Sequence, residues 1–219
     1  MNQTGGMNSV PAFSPVFSNQ LHELFRWRRD VRHFRCDPVP EPVLEGLLAT
    51  ACLAPSVGLS EPWRFVRVDD ADRRAAVRED FSQCNADALA DRADTDAQRY
   101  ARLKLAGLDD APHHVAVLSH PDPVQGRGLG RATMPQTTTW STVMAIHTFW
   151  LAATAAGVGV GWVSIINPAR IKAILDVDPA LELVAYLCVG YPDGQAPTPE
   201  LERRGWEQRA PERREWVRR

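Results

Sequence analysis

The chain lacks the cysteine spacing and the positive charge that define several common functional classes. Its four cysteines lie far apart and none forms a Cys-x-x-Cys pair, so neither a zinc ribbon nor a redox dithiol is indicated. We expect free thiols in a reducing cytoplasm. The net charge of -2 and the pI near 6.3 argue against general binding to nucleic acid.

Segments of the kind that enter membranes are also missing. The N-terminal residues have no basic region followed by an apolar core, so residues 1–17 are expected to be a flexible leader rather than a signal peptide. Residues 132–169 contain no Asp, Glu, Lys or Arg, but glycines and recurrent hydroxyl side chains interrupt the stretch. The pattern predicts a long buried central helix over about 138–156, not a membrane span.

Two motifs resemble cofactor sites but fail on order or spacing. Residues 157–161 alternate glycine with valine, yet a dinucleotide-binding fingerprint needs strand, glycine loop and helix in that order. Here a helix precedes the glycines and a strand follows. His113 and His114 are neighbours on a predicted strand, where they face opposite ways, and no third ligand lies at a useful spacing. We therefore predict no metal site.

Helices and strands alternate along a chain of the length of one domain, expected over residues 18–219. A helix capped by Ser18 leads to the first arginines, and a second helix begins at Pro42. Apolar segments predict strands over 63–68, 115–118, 158–166 and 183–189. The predicted fold class is α+β, with α/β as the alternative, and the central sheet is expected to be mixed, with four to five strands flanked by helices.

Two charged segments are predicted to lie outside this core. Residues 71–110 are rich in Ala, Asp and Arg, which favours surface helices with little core-forming power and suits a lid. Residues 197–219 form a C-terminal arm of Arg and Glu side chains that includes Trp206 and Trp216. Because such an arm cannot build its own core, we expect it to pack on another surface, such as a partner subunit.

The strongest functional signal is a cluster of arginines, Arg28, Arg29, Arg32 and Arg35, around a single acid, Asp30. Guanidinium groups bind phosphate oxygens in pairs and stay charged at physiological pH. The pattern predicts a phosphate site, and its alternative is a solvated helix end held by surface ion pairs. Asp30 favours the site, because a carboxylate beside a bound anion could move a proton.

The loop over 54–63 is a second candidate, since its prolines, small residues and Ser56 make it stiff enough to lie against a planar heterocycle. Alone it would be an ordinary helix-to-strand connection. Together with the arginine cluster and the glycine-rich segment before Ser164, however, it resembles the FMN-binding pattern of nitroreductase-like flavoproteins.

Within that superfamily the chain resembles the 5,6-dimethylbenzimidazole synthase family over about residues 25–209. The matching segments are 28–32, 54–58, 62–63, 103–108, 133–135, 159–164 and 190–192. Most nitroreductases carry a small hydroxyl residue where this chain has Asp30. The loop over 121–131 has no match in the pattern.

The resemblance implies a nitroreductase-like fold and an oxidoreductase that uses molecular oxygen to fragment reduced FMN. The products would be D-erythrose 4-phosphate and 5,6-dimethylbenzimidazole, the lower ligand of cobalamin. FMN would be the substrate, and no metal is implied. Asp30 is expected to take a proton from the ribityl chain, and Ser164 to orient the reacting region. The implied flavin-binding residues are Arg28, Arg29, Asp30, Val31, Arg32, Ser56, Pro62, Trp63, Leu105, Trp162, Val163, Ser164 and Arg209.

The resemblance also implies a homodimer with flavin sites at its interface, and reduced FMN supplied by a flavin reductase or by diffusion. Two alternatives stay open. An NAD(P)H-dependent FMN nitroreductase or a related dehalogenating enzyme would share the fold and the phosphate site, but it gives no reason for Asp30. A non-catalytic flavin-binding protein would need neither Asp30 nor Ser164.

Overall fold

The computed structural model of the chain describes residues 11–92, 94–101, 103, 105–210 and 216–219. Most of the expected leader, residues 1–10, lies outside this range. The described helices are α1 (Pro15–Trp27), α2 (Glu41–Ala51), α3 (Ala71–Ala90), α4 (Asp94–Ala101), α5 (Thr137–Ala155), α6 (Pro168–Leu175) and α7 (Glu200–Arg203). The described strands are β1 (Trp63–Arg67), β2 (His113–Ser119), β3 (Gly159–Val163) and β4 (Glu182–Gly190).

The four described strands form one sheet in the order β1-β2-β4-β3, and every neighbouring pair is antiparallel. The predicted α+β class is confirmed, but the expectation of a mixed sheet is wrong for these strands. Continuous apolar runs signal burial on both faces of a strand and say nothing of its direction. A parallel pairing does occur as a single bridge, between Asp30 and Val160.

Helices cover both faces of the sheet and create two cores. On one face Ile146 and Phe149 of α5 pack with Leu47 of α2 against the strands. On the other face Val77 of α3 and Ile171 of α6 pack against residues that include Tyr186 and Cys188. Burying a side chain of this size contributes about 1.5–3 kcal/mol. The two cores therefore hold the sheet firmly between the helices.

The central helix α5 is confirmed close to its predicted bounds. It is followed by Gly157, whose φ of 72° is the left-handed conformation that commonly ends a helix. Its buried hydroxyls bond within the helix, as Thr142 Oγ1 does to the carbonyl oxygen of Thr138 at 3.2 Å. One side of α5 stays exposed, however, where Trp140 has 49% of its surface accessible. None of the helices in the described part of the chain is long and apolar enough to span a membrane.

The predicted start of the first helix at Ser18 is wrong. Helix α1 begins at Pro15, and the Oγ of Ser14 accepts a hydrogen bond from the backbone N–H of Phe17 at 3.1 Å. The pair Ser14-Pro15 gives a capping hydroxyl followed by a residue whose φ is already helical, which is a stronger start signal than Ser18. Residues 15–17 of the expected leader are therefore helical.

The segment over 71–110 contributes more to the core than expected. Val77 and Leu108 belong to the core on one face of the sheet, and Tyr100 is also buried. The described part of the C-terminal arm contains α7, and Trp206 in it contacts Tyr100 with ring centres 6.3 Å apart. The arm thus packs on its own chain over this stretch. Residues 211–215 of the arm lie outside the described residues.

Candidate active site

The arginine-rich segment leaves the C-terminal end of α1 and runs along the outer strand β3. The backbone N–H of Val31 donates to the carbonyl oxygen of Val160 at 3.0 Å. Two glycines of β3 make this approach possible. A Cβ at Gly161 would collide with the Val31 carbonyl oxygen, and one at Gly159 would lie 2.9 Å from Val31 Cγ2. The glycines that fail as a dinucleotide fingerprint therefore seat the arginine segment on the sheet.

Asp30 is held at both carboxylate oxygens. Its Oδ1 accepts a hydrogen bond from the backbone N–H of Trp162 at 2.8 Å, and its Oδ2 accepts one from Arg32 Nε at 2.9 Å. The Asp30 side chain is 32% exposed and that of Arg32 is 12% exposed. A carboxylate has about four acceptor positions, so Asp30 can still accept a proton from a ligand while its orientation is fixed.

Arg28 lies against an aromatic side chain that the sequence reasoning assigned only to the central helix. Its Cζ is 5.1 Å from the ring centre of Trp150. The Nε1 of Trp150 donates to the carbonyl oxygen of Arg29 at 3.0 Å, and its ring lies 6.4 Å from that of Trp162. Trp150 therefore forms the floor beneath the arginine segment, and the available signal was an aromatic residue in an uncharged helix.

Arginines from two parts of the chain meet here. Burial is the largest cause that lowers the pKa of Arg28; Asp30 opposes it, and Arg209 lowers it further. The pKa of Arg29 is lowered by burial first, then by the neighbouring charges of Arg28, Arg209, Arg203 and Arg26. Like charges gathered in this way repel each other, and a bound anion would relieve the repulsion.

Arg29 is tied to the start of the C-terminal arm. Its Nε donates to the carbonyl oxygen of Ala196 at 3.1 Å, and one terminal nitrogen donates to that of Pro197. The other terminal nitrogen donates to the carbonyl oxygen of Arg28 at 2.7 Å. The two segments enclose a cavity of about 310 Å³, lined mainly by residues 29–33, 193–196, Thr198, Glu200, Arg203 and Arg204. Its volume and charge suit the phosphate end of a ligand.

Several other predicted residues belong to elements that adjoin the arginine segment, but they are not among the described residues that line this cavity. Val163 ends β3, and Ser164 follows it with an exposed side chain two residues from Trp162. Leu105 is half-buried and precedes Gly107, where a Cβ would overlap the ring of Phe34. The end of the predicted lid therefore packs against the arginine segment. Arg209, on the arm, is near enough for its charge to lower the pKa of Arg28 and Arg29.

The loop that holds Ser56, Pro62 and Trp63 lies elsewhere. Ser56 Oγ accepts a hydrogen bond from the backbone N–H of Glu61 at 3.1 Å, and Pro62 is buried. Trp63 is 6% exposed and packs in a small cluster at the start of β1. Strands β1 and β3 are the two outer strands, separated by three strand spacings, or about 14 Å. One chain does not bring these three residues to the arginine cluster.

The paired histidines have structural partners. His113 Nε2 accepts a hydrogen bond from the backbone N–H of Val39 at 2.9 Å, and His114 Nδ1 lies 3.0 Å from the hydroxyl of Tyr186. Burial is the largest cause that lowers the pKa of His114, to about 4. Among the described residues, no group of His, Cys, Asp and Glu is arranged to hold a metal ion.

Comparison with known proteins decides the family. Residues 25–191 match the model of the nitroreductase family. The chain is 55% identical over 205 residues to the 5,6-dimethylbenzimidazole synthase of Rhodospirillum rubrum, which covers 94% of this chain and 97% of that relative. The chain belongs to the 5,6-dimethylbenzimidazole synthase family. This enzyme family was predicted from the sequence, and the prediction is confirmed.

Solved structures confirm the nitroreductase-like fold of this 5,6-dimethylbenzimidazole synthase family member. A BluB-like flavoprotein from Clostridium difficile 630 superposes with a TM-score of 0.67 at 20% identity, covering 90% of this chain and 99% of that one. An iodotyrosine deiodinase bound to FMN and 3-iodo-L-tyrosine superposes with a TM-score of 0.68 at 23% identity, covering 80% and 91%. At these identities the likeness concerns the fold.

Sequence reasoning missed two neighbours of the arginine segment in this family member. Trp150, which packs under Arg28, and Glu200, which lines the cavity, were not predicted, because a tryptophan in a core helix and a glutamate in a charged arm carry no site signal of their own. Glu200 lines a smaller extension of about 130 Å³ together with Arg28 and Arg32. Only the fold brings the arm to the arginines.

Proposed function

We propose that this chain uses molecular oxygen to fragment reduced FMN, with 5,6-dimethylbenzimidazole and D-erythrose 4-phosphate as two of the products and the remaining carbons of the flavin ring released as a further fragment. Relatives that are 44–55% identical over most of the chain are named for the first product. The observation that carries the proposal is the position of Asp30, which joins the arginine cluster to β3 through Arg32 and the Trp162 N–H. An FMN nitroreductase has no evident use for an acid in this place.

The arginines would hold the phosphate of FMN. Arg28 and Arg32 line the same small cavity, and the nearby charge of Arg209 lowers the pKa of Arg28. Arg29 has five N–H donors in total, so it can bind an anion and still hold the arm. A dianion placed among these groups would make charge-assisted hydrogen bonds and reduce the repulsion between the arginines.

Asp30 would act as the base. When bound, reduced FMN supplies the electrons that reduce oxygen. Fragmentation of the ribityl chain also requires loss of a proton from carbon, and Asp30 would take it close to the phosphate that fixes the chain. The hydrogen bonds from Arg32 and Trp162 orient the carboxylate before the substrate arrives. The Ser164 hydroxyl at the end of β3 would bond to the ring and hold it against this carboxylate.

The site must also be kept dry, because water would favour loss of the electrons to hydrogen peroxide. Leu105 and the preceding helix α4 belong to the segment over 71–110, and Gly107 packs this segment onto Phe34. We assign it the role of a lid that covers the flavin.

A second copy of the chain would complete the site. The uncovered side of α5 exposes Trp140, Val143 and Met144, and the end of α2 leads to Leu53, which is also exposed. A homodimer that buries this apolar surface would let the 54–63 loop of one copy reach the arginine cluster of the other. This would account for the distance between the two halves of the site within one chain.

The wider setting follows from the product. 5,6-Dimethylbenzimidazole would serve as the lower ligand of cobalamin, and reduced FMN would come from a separate flavin reductase or by diffusion. All four cysteines are free, which agrees with a reducing cytoplasm.

Aerobic incubation with chemically reduced FMN tests the function. We expect 5,6-dimethylbenzimidazole and erythrose 4-phosphate in equal amounts by mass spectrometry. Formation of only oxidised FMN and hydrogen peroxide would reject the proposal. Turnover of NAD(P)H with a nitroaromatic acceptor, without benzimidazole, would favour the reductase alternative.

A further inference from the structure

Arg92 is enclosed by two aromatic rings from different segments of the chain. Its Cζ lies 4.3 Å from the ring centre of Tyr100 and 5.3 Å from that of Trp206. The two rings also meet edge to face. Arg92 Nε is buried and has no hydrogen-bond partner among the described residues, so the aromatic faces are its main contacts there. We call Arg92, Tyr100 and Trp206 the aromatic clamp.

The clamp joins the lid to the C-terminal arm. Arg92 follows α3, and Tyr100 lies on α4, where it is 5% exposed and donates a hydrogen bond from its hydroxyl to Asn85 Oδ1 at 2.8 Å. On the arm, the backbone N–H of Trp206 donates to the carbonyl oxygen of Leu201 at 2.8 Å. The position of Trp206 is therefore set by α7.

The other end of this part of the arm is fixed at the arginine cluster. Arg29 donates to the carbonyl oxygens of Ala196 and Pro197, and Ala196 itself lines the cavity. The stretch from Ala196 to Trp206 thus runs from a proposed phosphate ligand to the lid. It contains α7 and passes Glu200, whose side chain also lines the cavity. One short segment consequently contacts both places.

We infer that the C-terminal arm couples phosphate binding to lid closure, with Arg92 and Trp206 as positioning residues. This inference rests on the proposed function. An anion bound by Arg29 fixes the guanidinium that holds the start of the arm, and the arm in turn holds the clamp and α4. When the clamp is broken, the flavin phosphate still binds but the lid no longer closes well. Water then enters, and electrons go to hydrogen peroxide instead of product.

Trp206→Ala tests the clamp, and Trp216→Ala is its matched control, since Trp216 is in the same arm but 93% exposed. The first measurement is amide hydrogen exchange of residues 85–101 with oxidised FMN and with riboflavin. In wild type and Trp216→Ala, we expect FMN to slow exchange and riboflavin to have little effect. In Trp206→Ala, we expect exchange in α4 to be about tenfold faster and its response to FMN to be lost.

The second measurement is the molar ratio of benzimidazole to hydrogen peroxide, which we expect to fall about tenfold in Trp206→Ala. Trp206→Phe keeps an aromatic face and should restore most of the ratio. Arg92→Gln provides a second test if Trp206→Ala does not fold, with the exposed Arg99→Gln on α4 as its control. It should reproduce the loss of the FMN response.

The two proposals can fail separately, because the exchange experiment needs only bound oxidised FMN. If the wild type makes no benzimidazole, the proposed function fails while the exchange result still decides the coupling. The inference is overturned if Trp206→Ala or Arg92→Gln retains the FMN-dependent slowing of exchange seen in its control.

Discussion

The backbone N–H of Trp162 donates a 2.8 Å hydrogen bond to Oδ1 of Asp30. The other oxygen of this carboxylate accepts from Arg32 Nε, so Asp30 joins a strand of the sheet to a proposed phosphate ligand. An acid held in this way differs from a surface ion pair, because its direction is set by backbone as well as by charge.

Replacement of Asp30 by Asn should separate flavin oxidation from product formation. The side-chain oxygen of Asn can still accept a hydrogen bond from the Trp162 N–H, but the side-chain NH₂ would face the Arg32 N–H, and this hydrogen bond would be lost. Because the arginines themselves are unchanged, we expect FMN binding to weaken less than tenfold. Benzimidazole formation should fall by about 10² to 10⁴, the usual contribution of a general base. Asp37→Asn, at an exposed acid paired with Arg35, is the control. Undiminished benzimidazole from Asp30→Asn, measured by mass spectrometry, would remove the proposed base.

Arg28→Ala should weaken FMN binding and leave riboflavin binding nearly unchanged. The loss of one charge-assisted hydrogen bond costs about 1.5–3 kcal/mol, which corresponds to roughly 10- to 150-fold in affinity. Arg35→Ala is the matched control, since Arg35 pairs with Asp37 and contacts Tyr191 on the surface. Fluorescence titration with both flavins checks the prediction. An equal loss of affinity for the two flavins would mean that Arg28 does not bind the phosphate group.

Gly161→Ala should displace the arginine segment from β3. A Cβ here would collide with the carbonyl oxygen of Val31, and backbone on both sides leaves little room to adjust. We expect the free energy of unfolding to fall by about 1–3 kcal/mol and FMN affinity to fall with it. Gly46→Ala is the control, because nothing lies within 4 Å of a Cβ at that helical position. It should be neutral or slightly stabilising in denaturant titrations.

Trp140→Glu should convert the proposed dimer to monomers. A charge in the exposed apolar side of α5 would have to be buried without a partner when two copies associate. Light scattering should show half the mass, and product formation should stop if the site needs both copies. Ala173→Glu adds the same charge on α6, which covers the opposite face of the sheet. A wild type that is a stable monomer at micromolar concentration would contradict an interfacial site.

Protein stability should fall in acid because of His114. The pKa of His114 is about 4 in the folded protein and 6.5 in the unfolded chain. Well above pH 6.5, the imidazole is therefore neutral in both the folded and the unfolded protein. Between pH 6.5 and 4 the unfolded chain binds a proton that the folded chain does not, which lowers the free energy of unfolding by up to about 3 kcal/mol. Below pH 4 the loss levels off. Denaturant titrations of His114→Gln should show a flatter profile than those of the exposed His22→Gln.

Much of the fold was predictable because its signals are local. The uncharged stretch gave α5 and its end at Gly157, and the apolar runs gave all four described strands. Strand direction was not predictable in this way, because β2 and β4 are apolar on both faces whether their neighbours run parallel or antiparallel. Helix α1 begins at Pro15 and not at Ser18, because the Ser14 hydroxyl caps it within the segment expected to be a leader.

The site was predictable only where its residues are close in sequence. Residues 28–32 form one segment in the structure, as expected, and Asp30 lies at its centre. The contact of Trp150 with Arg28 and the contact of Trp206 with Arg92 join residues more than 100 positions apart. No periodicity or motif in the sequence predicts a contact between side chains so far apart. The roles proposed for the site residues rest on the family resemblance, whereas these contacts depend on the fold.

The pairing of Asp30 and Val31 with β3 has a further consequence for how the protein stays in solution. An outer strand presents unpaired N–H and C=O groups that another chain can bind, which leads to aggregation. Here the Asp30 carboxylate occupies the outward N–H of Trp162, and the Val31 N–H occupies the outward carbonyl of Val160. Substitutions that detach this segment would expose the edge of β3 and favour aggregation. Activity lost through such aggregation is distinct from activity lost through a missing catalytic group.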